Sequence, residues 1–433
     1  MQGPLHPRMY DTATWPDSWW RASAPSWTGP APLDGDHSTD VAIIGGGYAG
    51  LSIAIGLADA GIGATVLDAA EIGWGASGRN GGIVGYGGYK ASVRTLKRRH
   101  GAEECDRFQT ALRSGIDWVQ QFCEEQGLPV QGVAEDIYAH SPQAFTELIS
   151  GHNSHTDQSV IPPSDSKDMA RHGGIRIAPS FGIHPLRLVR ALCDRAVANG
   201  ARVAPSTEVT AWHRENGKHR LITLGGSVTA DRVVVATNGF APDGLHPGID
   251  GRAVPVISNI GVTRVLTNDE CARHPWLGDD PVADSKNLLV YLRLLPEKRL
   301  LFGMRGDLTG APRSSDAMRN QLTWRLADCF PGFAGIPLDY FWNGPICATA
   351  SYTPSVGSLP DDPTVYTCFG WHGSGVNAAN LAGRLLSKVI AGAPEETIPA
   401  PMRGLPRRLP LPGLRPVYVG LALAQQRIAD FIS

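Results

Sequence analysis

The sequence predicts an α/β fold in which a parallel-sheet domain is interrupted by an inserted, mostly antiparallel one. Three observations predict it. Residues 40–69, DVAIIGGGYAGLSIAIGLADAGIGATVLDA, read as strand, tight glycine turn, helix, strand and a closing acid. Residues 365–390 repeat the theme: an apolar strand, Val365 to Phe369, runs into the glycine turn GWHGSGVN and then a helix ending at Ile390. Between the two, from about Val254, the pattern changes to strands joined by loops, with Val262 to Leu266, Leu288 to Leu294 and Leu300 to Met304 the clearest. Strands alternating with helices imply a parallel sheet, and strands without intervening helices an antiparallel one.

In chain order, residues 1–35 come first. They form an arm rich in proline and tryptophan (Trp15, Trp19, Trp20, Trp27), with too few aliphatic residues for a core of its own. Aromatic rings in such an arm anchor it to the body of the protein; lining a site entrance is the functional alternative. Val41 to Ile44 are a short apolar run suited to a buried parallel strand. Gly45, Gly47 and Gly50 fit G-x-G-x-x-G: the first allows the turn, the second lets a pyrophosphate approach the backbone, the third lets helix pack on strand. The helix N-terminus at Tyr48 and Ala49 offers free N–H groups and a partial positive charge. Ala64 to Leu67 form the next strand, and Asp68 closes it where a carboxylate can accept ribose hydroxyls. The unit is Rossmann-like and binds a dinucleotide.

Residues 72–82, IGWGASGRNGG, indicate which one. A nicotinamide cofactor needs no second glycine-rich loop directly after the acid, whereas the longer FAD runs on past its pyrophosphate. Gly75, Gly78, Gly81 and Gly82 permit close backbone approach around Ala76, while Ser77, Arg79 and Asn80 supply polar contacts to phosphate and ribityl oxygens.

On these residues the chain resembles the FAD-dependent oxidoreductases of the D-amino-acid oxidase superfamily and is most similar to their gamma-glutamylputrescine oxidase branch. The segments IGGGYAGLS, IGWGASGRNGG, GIHPLRLVRAL, ADRVVVATNGF, NLLVYLRL and LAGRLLSKVI carry the likeness, in family order, from about residue 17 to the C-terminus. The resemblance implies that the backbone near Val209 meets adenine and that Ala236 and Thr237 form a second dinucleotide contact. It also implies that the turn holding Gly370, Gly373, Ser374, Gly375 and Val376 points a helix N-terminus at the pyrimidine edge of the flavin. Free N–H groups there stabilise negative charge on the reduced ring.

Continuing along the chain, residues 91–127 read as helices, residues 151–182 as loop broken by Pro162-Pro163, and Leu186 to Asn199 as a helix. Arg202 to Val209 and Arg232 to Thr237 read as strands, Ser315 to Phe330 and Val417 to Phe431 as helices. The expected organisation is an FAD-binding domain of residues 36–90, 175–253 and 343–395, a substrate domain of 91–174 and 254–342, and a tail of 396–433.

Candidate substrate residues are few. Tyr291 and Arg293 lie two apart on one strand and share a face. The resemblance runs this strand over the flavin, where Arg293 would grip a carboxylate; a structural ion pair at a domain interface is the alternative. Relatives commonly read GYSGHGV where this chain reads GWHGSGV, so Trp371 replaces a tyrosine and the histidine moves forward to His372. Trp371 would wall the pocket and His372 face the flavin or substrate, against core packing and a turn role respectively. The family arginine that holds a small amino acid falls, by register from Pro354, at Ile346, which disfavours such a substrate. Cys347 lies about three residues from the position where sarcosine-oxidase-like relatives attach FAD, so a noncovalent FAD is expected.

Composition excludes other classes. A 42% hydrophobic and 18% charged chain of 433 residues fits a globular protein with a sizeable core. A net charge of −2 gives no reason to expect nucleic acid. Thirteen histidines and seven cysteines form no metal or dithiol motif, so no metal is expected, and scattered cysteines without a leader segment suggest the cytoplasm. No apolar run of about 18 residues suggests a membrane span, and scarce lysine beside abundant arginine suggests a GC-rich bacterial genome.

The expected activity is oxidation of a small-molecule amine. A neutral amine loses a hydride to flavin N5, water hydrolyses the imine, and dioxygen or another acceptor reoxidises the flavin, giving hydrogen peroxide with dioxygen. A dehydrogenase or oxidase of a secondary or cyclic amino acid, such as pipecolate, is the first alternative; a non-catalytic flavoprotein is the second.

Overall fold

The computed structural model describes residues 4–151, 155–240 and 243–432, so residues 1–3 of the arm and Ser433 of the tail fall outside the described residues. The strand His37–Ile44 lies at the centre of the first sheet, with Val41, Ala42 and Ile43 fully buried. It pairs in parallel with Ala64–Leu67 on one side and Ser227–Val235 on the other. Arg202–Ala204 extends the first side and Asp362–Phe369 the second, both in parallel. Ser355–Leu359 closes one edge antiparallel, and the hairpin of Ala211–Glu215 and Lys218–Ile222 pairs onto Ser227–Val235.

Helices Tyr48–Asp59, Pro185–Ala198 and Gly375–Ile390 pack with this sheet. The helix pair Tyr48–Asp59 and Gly375–Ile390 crosses closely because Gly383 has no side chain: a Cβ there would sit 2.6 Å from the Ala49 carbonyl oxygen. The third glycine of the fingerprint has a similar reason, since a Cβ on Gly50 would meet the Gly45 carbonyl oxygen at 1.9 Å.

The second sheet runs, edge to edge, through Leu338–Ala348, Val254–Val265, Arg299–Asp307, Val290–Leu294, Val282–Asp284, Glu135–Tyr138, Gly174–Ala178 and Asp157–Ile161. All its pairings are antiparallel except Val282–Asp284 with Glu135–Tyr138. Its outer face carries helix Pro312–Cys329 over a core that includes Phe302, Leu322, Phe330 and Phe333.

Three expected boundaries move. Gly174–Ala178 and the whole of Leu338–Ala348 belong to the second sheet, so the segments meant to begin at 175 and 343 begin later. Helices Val93–His100 and Ala102–Glu125 sit in the first core, with Leu96, Phe108, Leu112 and Ile116 buried against the neighbourhood of Gly375–Ile390. A helical period says that one face is buried, not on which sheet. The strand expected over 202–209 ends at Ala204, where Ser206 takes a positive φ of 48° and turns the chain.

Candidate active site

One cavity of ≈ 690 Å³ connects the two sheets. It opens along Gly45–Ala49 and Asp68, follows the loop 73–81, and ends against the second sheet at Ser258, Tyr291 and Arg305.

At the first end, Asp68 Oδ2 accepts the Gly46 N–H at 2.7 Å and Oδ1 accepts that of Ala70 at 2.9 Å. Burial pushes its carboxyl up, and the two N–H bonds oppose that. Gly47 caps the helix Tyr48–Asp59 and has no room for a side chain, since a Cβ would lie 2.8 Å from Ser77 Oγ. Ser77 Oγ itself accepts from Tyr48 N at 3.0 Å, joining the two glycine loops. Val209, Ala236 and Thr237 line the same end, and Thr237 Oγ1 is buried without a partner.

The loop 72–82 folds into a short helix, Ala76–Arg79, capped by Gly75. Arg79 is 6% exposed, lies over the Trp74 ring at 4.5 Å, and leaves Nη2 buried without a partner. Burial lowers its pKa to about 9. Asn80 lines the cavity and also shapes the loop: Nδ2 donates to the Ala76 and Ser77 carbonyls at 3.1 and 3.0 Å, and Oδ1 accepts from Gly82 N at 2.8 Å. Gly81 passes directly under the Tyr291 ring. The N-terminal arm buttresses the loop from outside. Trp20 Nε1 donates to the Asn80 carbonyl at 2.7 Å, Trp74 Nε1 donates to that of Thr14 at 2.9 Å, and Tyr10 and Thr12 reach the cavity wall.

The opposite wall is the turn before helix Gly375–Ile390. Trp371, Gly373, Ser374, Gly375 and Val376 line the cavity, whereas Gly50, Gly82 and Gly370 do not. Gly370 acts in the turn, with φ +91° and its N–H bonded to Asn238 Oδ1 at 3.0 Å. His372 is turned away from the cavity, contrary to expectation. It adopts φ +49°, is 3% exposed, and its Nε2 lies 3.2 Å from Thr349 Oγ1. Burial lowers its pKa to about 4, so the ring is neutral near pH 7. The positive φ of a turn residue reverses where its side chain points, which a motif does not reveal.

Arg293 also departs from its expected role. It does share the Tyr291 face, but its guanidinium is buried in backbone: Nη1 donates to the carbonyls of Gly81, Gly82 and Ile183 at 3.1, 3.0 and 2.8 Å, and Nη2 to Gln131 Oε1 at 3.1 Å. It clamps the glycine loop and does not line the cavity. Tyr291 does line it, with Oη 3.1 Å from Ser258 Oγ and a pKa that burial raises to about 12. Cys347 lies on the wall as an undissociated thiol, since burial pushes its pKa up to about 12. His184 is the N-cap of Pro185–Ala198.

Five charged residues of the wall escaped the sequence reading: Lys90, Glu135, Glu208, Asp284 and Arg305. Arg305 Nη2 donates to the His372 carbonyl at 2.9 Å, which holds the guanidinium over the turn before helix Gly375–Ile390. Lys90 sits in an irregular loop and Glu135 on a short strand in the stretch 128–150, where no element was expected, so no spacing marked them.

The orphaned Arg79 and Thr237 atoms, the glycine-lined cradle and the two helix N-termini suit a long anionic dinucleotide. Residues 40–389 match the family model described as DAO, FAD dependent oxidoreductase. The chain belongs to this family. It is 29% identical over 393 residues to a probable oxidoreductase OrdL of Rhizobium meliloti (strain 1021), covering 88% of this chain and 89% of that one. It is also 29% identical over 391 residues to gamma-glutamylputrescine oxidoreductase of Escherichia coli (strain K12), covering 87% and 89%. Among solved structures, glycine oxidase from Geobacillus kaustophilus superposes with a TM-score of 0.70 at 20% identity, over 86% of this chain and 100% of that one. L-Proline dehydrogenase from P. horikoshii gives 0.66 at 18% identity, over 83% and 94%. The protein is therefore an FAD-dependent oxidoreductase. No described helix is long and apolar enough to cross a membrane.

Proposed function

We infer that this protein oxidises the CH–NH bond of a small amine, and that dioxygen serves as the electron acceptor. The observation that carries the reading is the cavity that joins the dinucleotide cradle at Asp68 to a wall bearing Tyr291, Trp371 and Arg305. FAD, when bound, supplies the hydride acceptor and passes the electrons on. Gly45–Ala49, Asp68, Ser77 and Arg79 would hold its phosphates and ribose, and Gly373–Val376 its ring end. Trp371, Ile346 and Tyr291 exclude water and orient the amine. An amine whose α-hydrogen leaves must be neutral, while a free alkylamine has a pKa of roughly 10, so the cavity binds or generates the neutral form. Water then hydrolyses the imine product.

A secondary or cyclic amino acid is the second reading, and Arg305 favours it. This residue brings a cation to the cavity from a strand other than the one where Ile346 stands. Retention without a covalent bond fits the undissociated Cys347 thiol, and the cytoplasm remains the proposed compartment. The test is anaerobic reduction of the purified yellow protein by polyamines, γ-glutamyl amines and cyclic amino acids, followed by peroxide release in air. Reduction by cyclic amino acids alone selects the second reading. Reduction by none leaves a non-catalytic flavoprotein, and reduction without peroxide excludes dioxygen as acceptor.

A further inference from the structure

The reaction proposed above requires a neutral amine, and the cavity holds a group suited to supply it. Glu135 opens onto the cavity from the strand Glu135–Tyr138. Its Oε2 lies against the Gly85 backbone, 3.4 Å from where a Cβ on that glycine would be. Among the described residues, neither its carboxylate nor the Lys90 ammonium has a hydrogen-bond or ion-pair partner. Glu135 is half-buried, and a carboxylate left on such a wall without a partner is costly unless a ligand satisfies it. The other acids near it, Asp284 on the same cavity wall included, have partners of their own. Asp136, on the opposite face of the same strand, binds Arg176 at 3.1 Å. Asp284, on the neighbouring strand, accepts from Val290 N at 3.0 Å and lies 3.6 Å from Arg325.

We propose that Glu135 is the proton acceptor of the active cavity, taking the proton of the substrate ammonium and releasing the neutral amine, with Lys90 and Arg305 as the counter-charges. This rests on the amine-oxidation reading. One N–H bond breaks, one O–H bond forms on Glu135, and the electron pair stays on nitrogen; nothing is oxidised or reduced in this step. The two cations serve it by disfavouring a third positive charge in the same cavity, which loosens the ammonium's proton.

The groups facing Glu135 set its readiness. Burial raises its carboxyl to about 7, Lys90 opposes this and Asp136 adds to it. Lys90 is lowered to about 8 by burial, then by Arg305, while Glu135 raises it. From the segment after Gly85 come Tyr86 and Tyr89, whose phenols burial raises, and Ser180 bounds the other side. The strand paired at Glu135 presents Ile177, which is uncharged. His372 faces Thr349 and takes no part.

Two measurements on the FAD-loaded protein test the assignment. The first needs no turnover: infrared difference spectra between pH 5 and pH 9 should show a protonated carboxyl that ionises near 7 and is missing in Glu135→Gln. The second is the pH profile of anaerobic flavin reduction by a reactive amine. In the wild type the rate should rise through about pH 7. In Glu135→Gln that limb should vanish, leaving a tenfold rise per pH unit toward about 10, so that at pH 7.5 the loss is on the order of 100-fold and at pH 10 only about twofold. Lys90→Met should move the wild-type limb upward, because the cation that lowers Glu135 is gone. Absence of the titrating band, or a uniform loss at every pH with the profile shape kept, overturns the proposal. If no amine reduces the flavin, the functional reading falls and this proposal with it, whatever the band shows; if amines do reduce it and the profiles coincide, only the proposal falls.

Discussion

Replacing Arg293 with leucine should destabilise the protein by about 3 kcal/mol and loosen FAD, without a selective effect on substrate affinity. The side chain is 3% exposed and binds three carbonyl oxygens and Gln131. After substitution the Gly82 carbonyl keeps the Ile183 N–H at 2.7 Å, but those of Gly81 and Ile183 lose their donor. An unsatisfied buried acceptor costs ~1–3 kcal/mol, which for two carbonyls gives ~2–6 kcal/mol. Relief of the guanidinium's own burial, which lowers its pKa to about 10, offsets a small part of this. The low middle of the range, about 3 kcal/mol, is therefore expected. The lost clamp also frees the loop around Gly81 and Gly82, beside Asn80 and Arg79. Urea unfolding monitored by tryptophan fluorescence gives the stability change, and flavin fluorescence after dilution gives the FAD release rate. Unchanged unfolding and FAD release together with a raised KM would refute the clamp and return Arg293 to the substrate.

Asp68→Ala should weaken FAD binding roughly 10- to 150-fold, equivalent to ~1.5–3 kcal/mol for a charge-assisted hydrogen-bond set, measured by titrating apoprotein with FAD. It should also destabilise the apoprotein, because the carboxylate already holds Gly46 and Ala70. Acid-unfolded protein should have the mass of the polypeptide alone, since the Cys347 thiol is held undissociated; an added FAD mass would contradict this. His372→Ala and wild type should give superimposable pH profiles for flavin reduction above pH 5, because a ring with a pKa near 4 carries no proton there; a profile that changes in the variant would restore a protonic role.

The dinucleotide half was legible because its chemistry is local. Gly45, Gly47, Gly50 and Asp68 act through backbone geometry within one strand–turn–helix–strand unit, and such units carry their function in their spacing. The second turn was legible for the same reason, and its lining residues Trp371 and Gly373–Val376 stand where that unit puts them. The far wall of the cavity was not. Lys90 comes from a loop, Glu135 from a short strand and Arg305 from the strand Arg299–Asp307, and sequence separation hides a meeting that only sheet pairing brings about.

Arg293 and His372 show the same division from the other side. Residue type alone suggested a carboxylate clamp and a proton acceptor, and both groups are chemically able to play those parts. Direction decided otherwise. Arg293 turns into the backbone of the glycine loop, and a positive φ turns His372 toward Thr349. Composition and motif spacing were enough for the cofactor and the reaction family, since a dinucleotide is recognised mostly by main-chain N–H groups whose positions follow from glycine placement. Which side chains line the cavity's far wall was decided by the packing of one sheet against the other, because a cavity wall is assembled from segments far apart in the chain and its polarity depends on which of them is left without a partner.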